Sequence, residues 1–445
     1  MAQDTHDAGQ PSDGRAAQRL DSSGSPRPWL DRRHLIGAYA VFLAYAVLFA
    51  VFSRGEDQVW AIWASCGYAA ALFMLWRWPP RTVAVLVSVA VAVVAPLLWL
   101  SLAYPLETGM WVIDRSASLL LHHGTPYLYS WQVTSWQSYN PYLTVMALFG
   151  MPSAAGLGGV AGNSGVWIAV ATVVILAAAF WAAVPHRGCT TCRRDALLAA
   201  AVAVASPVIG LNLAVITTDP PVLALILLSM ALAARPPTTT ARPPTTASLL
   251  GSAAALGVAC DLKSTAWLAV PVMAAMFARR DGARAAARFV AVSLVTTAVL
   301  IVALAPAVLI RPAAVTALVQ NSVLFPLGLT RYKTPAESLL PGHLLTDLGA
   351  AGHVLSVGLL LAAGLAIAVS LVIRPPGDVP AAARRLALGL TLIFLLGPAV
   401  RFGYFIYPLG LLGWLALTHT DTTGREVGDG RKPVPWIRVG RQSSS

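Results

Sequence analysis

From Leu35 onward the chain is a succession of apolar stretches separated by short polar or basic breaks. An apolar stretch of about 20 residues crosses the hydrocarbon core of a bilayer as a helix. Spans are predicted near 35–52, 59–76, 82–104, 165–185, 196–216, 220–234, 248–261, 264–278, 289–309, 346–373, 385–400 and 402–418. The predicted fold is an all-α polytopic membrane protein with about 12 transmembrane helices. The stretches between 220 and 278 are short, so tilted, broken or partly inserted helices are expected there. A further apolar stretch, 141–158, is interrupted by Pro141, Pro152 and three glycines (Gly150, Gly156, Gly158).

Composition supports this pattern. The 445 residues are 57% hydrophobic and 11% charged, whereas a soluble domain carries about 25% charged residues. A soluble enzyme, a disordered chain and a nucleic-acid binder are excluded, despite a net charge of +12. The basic residues instead sort by side. With 141–158 lying in the outer interface, 24 of the 31 Lys and Arg fall on one side, and seven on the other: Arg54, Arg115, Lys263, Arg311, Arg331, Lys333 and Arg401. Positive charge marks the cytoplasmic side, so both termini are predicted to be cytoplasmic.

The predicted organisation is a disordered polar tail (1–34), a membrane domain (35–418) and a basic cytoplasmic tail (419–445) that leans on anionic headgroups. No cleavable signal is evident ahead of Leu35. Only three of the basic residues are Lys, and Ala, Val and Leu dominate, a bias of high-GC bacterial genomes; the expected location is a bacterial cytoplasmic (inner) membrane. The repeat Ala234-Arg-Pro-Pro-Thr-Thr239, echoed at 241–246, reads as an extended linker. Cys189-Thr-Thr-Cys192 lacks the second half of a zinc site and reads as two thiols in a basic loop.

Two long segments face outward, about 105–164 and about 310–345, too rich in Trp, Tyr, Leu and Pro for disorder. Interfacial helices and a lid over a cavity are expected. On a helix over Met110–His122, Asp114, Ser118 and His122 share one face. Tyr127, Tyr129, Trp131, Trp136, Tyr139 and Tyr142 follow, as substrate contacts or as an aromatic belt at headgroup level. Asp219, in Thr-Thr-Asp-Pro-Pro, is either functional or a turn former. Asp261 and Lys263 stand between apolar stretches, where charge is expensive; they cap a hairpin, pair with each other, or serve function. Arg331, Lys333 and Arg401 add cations at the same face.

A carboxylate and several cations above an apolar bundle suit a phosphate headgroup on a lipid tail. Asp114 is the candidate base, and Lys263, Arg331, Lys333 and Arg401 are candidates for the phosphate. His122, Tyr127, Tyr139 and Asp219 are candidate substrate contacts. No resident metal site is predicted, and a divalent cation is left open.

The run Asp114-Arg-Ser-Ala-Ser-Leu-Leu-Leu-His-His-Gly-Thr-Pro-Tyr127, followed by Tyr139-Asn-Pro-Tyr142, resembles the first outer loop of GT-C glycosyltransferases. It is closest to the bacterial polyprenyl-phosphate-mannose-dependent type, family 87. Thr218-Asp-Pro-Pro-Val-Leu-Ala-Leu-Ile-Leu227 and Leu262-Lys-Ser-Thr-Ala-Trp267 are similar to later helices of that family. The resemblance covers about 105–415 through short motifs. It implies a multispanning helical fold, an extracytoplasmic site, a polyprenyl-phosphate sugar donor and an acidic base at Asp114. A glycan or glycolipid of the cell envelope would be the acceptor, with mannose favoured and arabinose second. The acid-to-Gly spacing is short, which makes Glu107 a rival base. Asn140 stands where the family's Tyr-Pro-Pro segment has its first proline, and three helices precede the loop where one is usual. A transporter or flippase of lipid-linked sugars and a non-catalytic subunit of the same fold are the alternatives.

Overall fold

A computed structural model describes residues 30–77, 80–104, 108–184, 190–234, 246–332, 338–398 and 400–418. Residues 1–29 of the predicted N-terminal tail, the predicted C-terminal tail, the repeated Arg-Pro-Pro-Thr-Thr run up to Thr245, Cys189, Glu107 and Lys333 lie outside the described residues; a helix begins at Arg32, within the stretch expected as tail. The helices of eight residues or more are α1 (Arg32–Phe52), α2 (Glu56–Arg77), α3 (Arg81–Ala103), α4 (Thr108–His123), α5 (Ser164–Ala182), α6 (Thr190–Ala205), α7 (Pro207–Ala214), α8 (Pro220–Ala233), α9 (Thr246–Leu262), α10 (Ala269–Asp281), α11 (Ala283–Leu304), α12 (Pro312–Val319), α13 (Ala350–Ile373), α14 (Val379–Leu396) and α15 (Ile406–Thr418).

Seven of these, α1, α2, α3, α5, α11, α13 and α14, are long and apolar enough to cross a membrane, and the bent pair α6–α7 adds an eighth where it counts as one span. The chain is a multi-pass α-helical membrane protein. The other four of the twelve expected crossings fall on α8, α9, α10 and α15, which are shorter. At about 1.5 Å per residue, the 14 residues of α8 reach about 21 Å, less than a core of about 30 Å. Twelve of those residues are nevertheless buried. A helix apolar on every side belongs inside a bundle, and α8 is its axis, packed by α5, α9, α14 and α15.

Two proline breaks shape the first half. Pro96 has no N–H to offer Ala92, one turn earlier. The helix widens into a π segment at Ala90–Val94, and the indole of Trp60 donates to the freed Ala92 oxygen at 3.0 Å. The stretch 196–216, expected as one span, is two helices bent by 64°. Pro207 starts the second of them, and the hydroxyl of Tyr68 donates to the carbonyl of Ala205 at 2.6 Å. The span expected at 264–278 likewise begins late: Ser264–Leu268 is 3-10 helix, and α10 starts at Ala269. Cys192, expected as a thiol, is disulfide-bonded, in the first turn of α6; Cys66 and Cys260 are free.

Candidate functional site

The stretch Thr144–Gly150 is 3-10 helix, followed by one α turn at Met151–Ala154. That is too short to cross the membrane, and it serves instead as a rail between two carboxylates. At its start the backbone of Tyr142 bridges that of Lys263, and Leu143 N–H donates to Leu262 O at 3.3 Å. Asp261, in the last turn of α9, is fully buried. Its Oδ2 accepts from Thr144 Oγ1 at 2.6 Å and from Val145 N–H at 3.1 Å, which satisfies donors the short helix leaves open. Its Oδ1 is buried without a hydrogen-bond partner. At about 2.0 Å per residue, the rail places Gly150 about 12 Å beyond Thr144.

Gly150 rests directly on α4. A Cβ there would lie 2.7 Å from Ile113 O and 2.9 Å from the Cα of Asp114, both backbone atoms. Gly150→Ala is therefore expected to push α4 outward and to cost about 1–3 kcal/mol. Thermal denaturation in detergent checks this; an unchanged midpoint would remove the rail's role in fixing Asp114.

The buried face of α4 is Met110, Ile113, Ala117 and Leu120, at helical spacing. Asp114 sits at its edge, half-buried, with Oδ1 buried and no hydrogen-bond partner. Burial pushes its carboxyl above the ordinary range, and the hydroxyls of Ser164 and Ser153 draw it partly back. Ser118 and His122, expected on the same face, are exposed, so His122 is not enclosed with the carboxylate.

A second centre forms where α8 begins. Ile216 has φ +57°, an outlier for a β-branched residue. Space for it comes from Gly165, where a Cβ would fall 1.9 Å from Ile216 Cγ2. The strained turn delivers Asp219 to the N-cap position of α8, ahead of Pro220 and Pro221. The Asp219 side chain makes no capping hydrogen bond, and Pro221 at N2 has no N–H to offer it. Its Oδ1 accepts instead from Lys263 Nζ at 2.6 Å and Tyr407 OH at 2.7 Å. All three residues are buried. The ammonium of Lys263 also lies 4.7 Å from the ring centre of Tyr404 and 5.9 Å from that of Tyr142, within cation–π range. Asp261 and Lys263 thus face different partners and do not form the mutual pair the sequence allowed. Asp219 is more than a turn former.

Two asparagines, not among the sequence candidates, join the two long segments at about 105–164 and about 310–345. Asn140 N–H donates to Asn321 Oδ1 at 2.8 Å, and Asn140 Nδ2 donates to Ser116 Oγ at 2.9 Å. Asn321 Nδ2 donates to Ala317 O at 2.8 Å, one turn back in α12. Asn321 sits in a π segment, Gln320–Leu324, a local widening often found at functional sites. Tyr139 stacks on Phe325 with ring centres 4.5 Å apart, and Tyr127, fully enclosed, donates its hydroxyl to Tyr142 O at 3.0 Å. The remaining cations are peripheral: Arg331 is exposed over the ring of Tyr332, and Arg401 is exposed ahead of the 3-10 turn Phe402–Phe405. Among the described residues no three His, Cys, Asp or Glu side chains gather as a metal would require.

Compared with known protein families, characterised proteins and solved structures, the chain gives no match. The functional argument therefore rests on Asp114, the Asp219–Lys263–Tyr407 cluster and the segments that join them.

Proposed function

We propose that the protein is a membrane glycosyltransferase of GT-C type. In this reading it moves a sugar, mannose before arabinose, from polyprenyl phosphate to a cell-envelope glycan or glycolipid. The site is extracytoplasmic, in a bacterial cytoplasmic membrane, with both chain ends cytoplasmic and the four shorter helices completing twelve crossings. The supporting observation is Asp114: a half-buried carboxylate at the edge of a helix that does not span, with one oxygen unpartnered. A general base needs a free lone pair and a raised proton affinity.

The acceptor hydroxyl gives its proton to Asp114 as its oxygen attacks the anomeric carbon. The bond from that carbon to the phosphate oxygen breaks with inversion, and polyprenyl phosphate departs. Arg331, Lys333 and Arg401 offset its negative charge. Lys263 is already neutralised by Asp219 at 2.6 Å, so its part is to hold Tyr142 and the head of the rail. Purified protein in nanodiscs, given radiolabelled polyprenyl-phosphate mannose and a cell-envelope extract, is expected to label the extract. Failure with both the mannose and arabinose donors would overturn the reading.

A transporter or flippase of lipid-linked sugars is the second reading. It draws support from the buried Asp219–Lys263 pair and the 64° break between α6 and α7, since transporters build midplane sites from broken helices and buried charges. Movement of the labelled lipid across sealed liposomes, without transfer, would favour it.

A further inference from the structure

The end of the bundle opposite Asp219 and Lys263 carries arginines of two kinds. Around α1, α2, α3 and α6, Arg32, Arg81 and Arg193 are occupied, while Arg33, Arg77 and Arg194 stand exposed. Arg32 donates to the carbonyls of Leu75 and Trp76. Arg81 donates to Asp195 Oδ1 at 3.0 Å and to Leu30 O at 2.9 Å. The guanidinium of Arg193 lies 4.7 Å from the ring centre of Trp181.

Arg279 Nη1 donates to Pro375 O at 2.7 Å, so the α10–α11 turn is clipped to the α13–α14 turn. Arg280 is held by Asp281 and Ala233 O, and Arg385 by Ser370. Four more, Arg284, Arg288, Arg374 and Arg384, stand exposed around the clipped turns. Their guanidinium groups make no hydrogen bond or ion pair with the described residues. The nearby acids are engaged: Asp281 by Arg280, and Asp378 by the N–H of Ala381 at the head of α14. Like charges gathered without an internal counter-ion attract an external anion, and the planar guanidinium fork matches phosphate.

The flanking helices indicate where that phosphate comes from. Only 17% of the apolar window of α11 and 6% of that of α13 is buried inside the protein. Val295 and Val299 on α11, and Leu361 and Leu365 on α13, point outward from the bundle. An anion seated on the clipped turns and continuous with these apolar flanks is an amphiphile. We propose that Arg284, Arg288, Arg374 and Arg384 form a headgroup site for an anionic phospholipid, with the phosphate on the guanidinium groups and the acyl chains along α11 and α13. Basic pockets between transmembrane helices serve this purpose elsewhere. The assignment is independent of glycosyl transfer.

The test uses the full-length protein in neutral detergent, titrated with phosphatidylglycerol or phosphatidylcholine and read by native mass spectrometry. Wild type is expected to retain phosphatidylglycerol at least about tenfold more tightly than phosphatidylcholine. The fourfold variant Arg284→Gln, Arg288→Gln, Arg374→Gln, Arg384→Gln should lose that preference. The pair Arg284→Gln, Arg374→Gln should lose part of it and serves if the fourfold variant does not fold. A charge-matched control replaces Arg425, Arg431, Arg438 and Arg441 with Gln and should keep the preference. Equal loss in the control would mean diffuse charge attraction and overturn the site. Retention unaffected in the fourfold and paired variants would do the same. Displacement of the lipid by millimolar inorganic phosphate would make free phosphate the ligand and overturn the lipid assignment.

Discussion

Lys263→Met is expected to destabilise the folded protein by about 3–5 kcal/mol, the usual cost of removing one member of a buried ion pair. The substitution keeps an unbranched side chain of similar length, so packing changes little. What changes is that Asp219, at 6% exposure, loses its counter-ion and is left with the Tyr407 hydroxyl at 2.7 Å. The cation–π contact with Tyr404 is lost as well. The double variant Lys263→Met, Asp219→Asn should recover most of the loss, because a neutral amide oxygen still accepts from Tyr407. Thermal denaturation of the three proteins in one detergent checks both halves. Equal instability in the single and double variants would show that the charge imbalance is not the cause.

Asp114→Asn is expected to lower transfer by about 10²–10⁴-fold, the range of a positioned general base, without loss of folded protein. The sign follows from burial. Asp114 binds its proton more tightly in the folded state than the ordinary carboxyl at about 3.9. Its ionised form therefore lowers stability at neutral pH, and that cost fades as pH falls through the folded-state value. Replacement by a neutral amide should leave the melting temperature unchanged or slightly higher at pH 7. Transfer by wild type should run the other way, rising with pH through a value above the ordinary one. Full transfer by the variant would remove Asp114 as the base and pass that role to Glu107.

The long spans were legible because continuous apolar runs leave few alternatives, and α1, α2, α3, α5, α11, α13 and α14 lie close to where hydropathy puts them. The break at Ser206–Pro207 was signalled by the proline, but mean apolarity over 196–216 hides a single missing N–H. Pairing was not legible. Asp219 and Lys263 stand 44 positions apart, and no spacing rule links two ends of different helices, whereas Asp261 and Lys263 are neighbours in sequence yet face apart. Asp114 was legible as a carboxylate on an amphipathic helix; its enclosure was not, because Gly150 and Ser164 come from elsewhere in the chain. Asn140 stood out only as a departure from a motif. Asn321 carried no signal at all, since a lone amide between Gln320 and Ser322 belongs to no motif and its partner Asn140 is 181 positions away.

The bond from Tyr407 to Asp219 spans 188 positions and has a consequence for biogenesis. At about 5–20 residues per second, the ribosome finishes α8 roughly 10–40 s before it makes Tyr407. Once Lys263 has been made, it alone holds the carboxylate for the rest of that interval, while the side of α8 that α15 will cover stays open. The last helix thus acts as a keystone, and a chain that stops before it presents an unfinished charged seam.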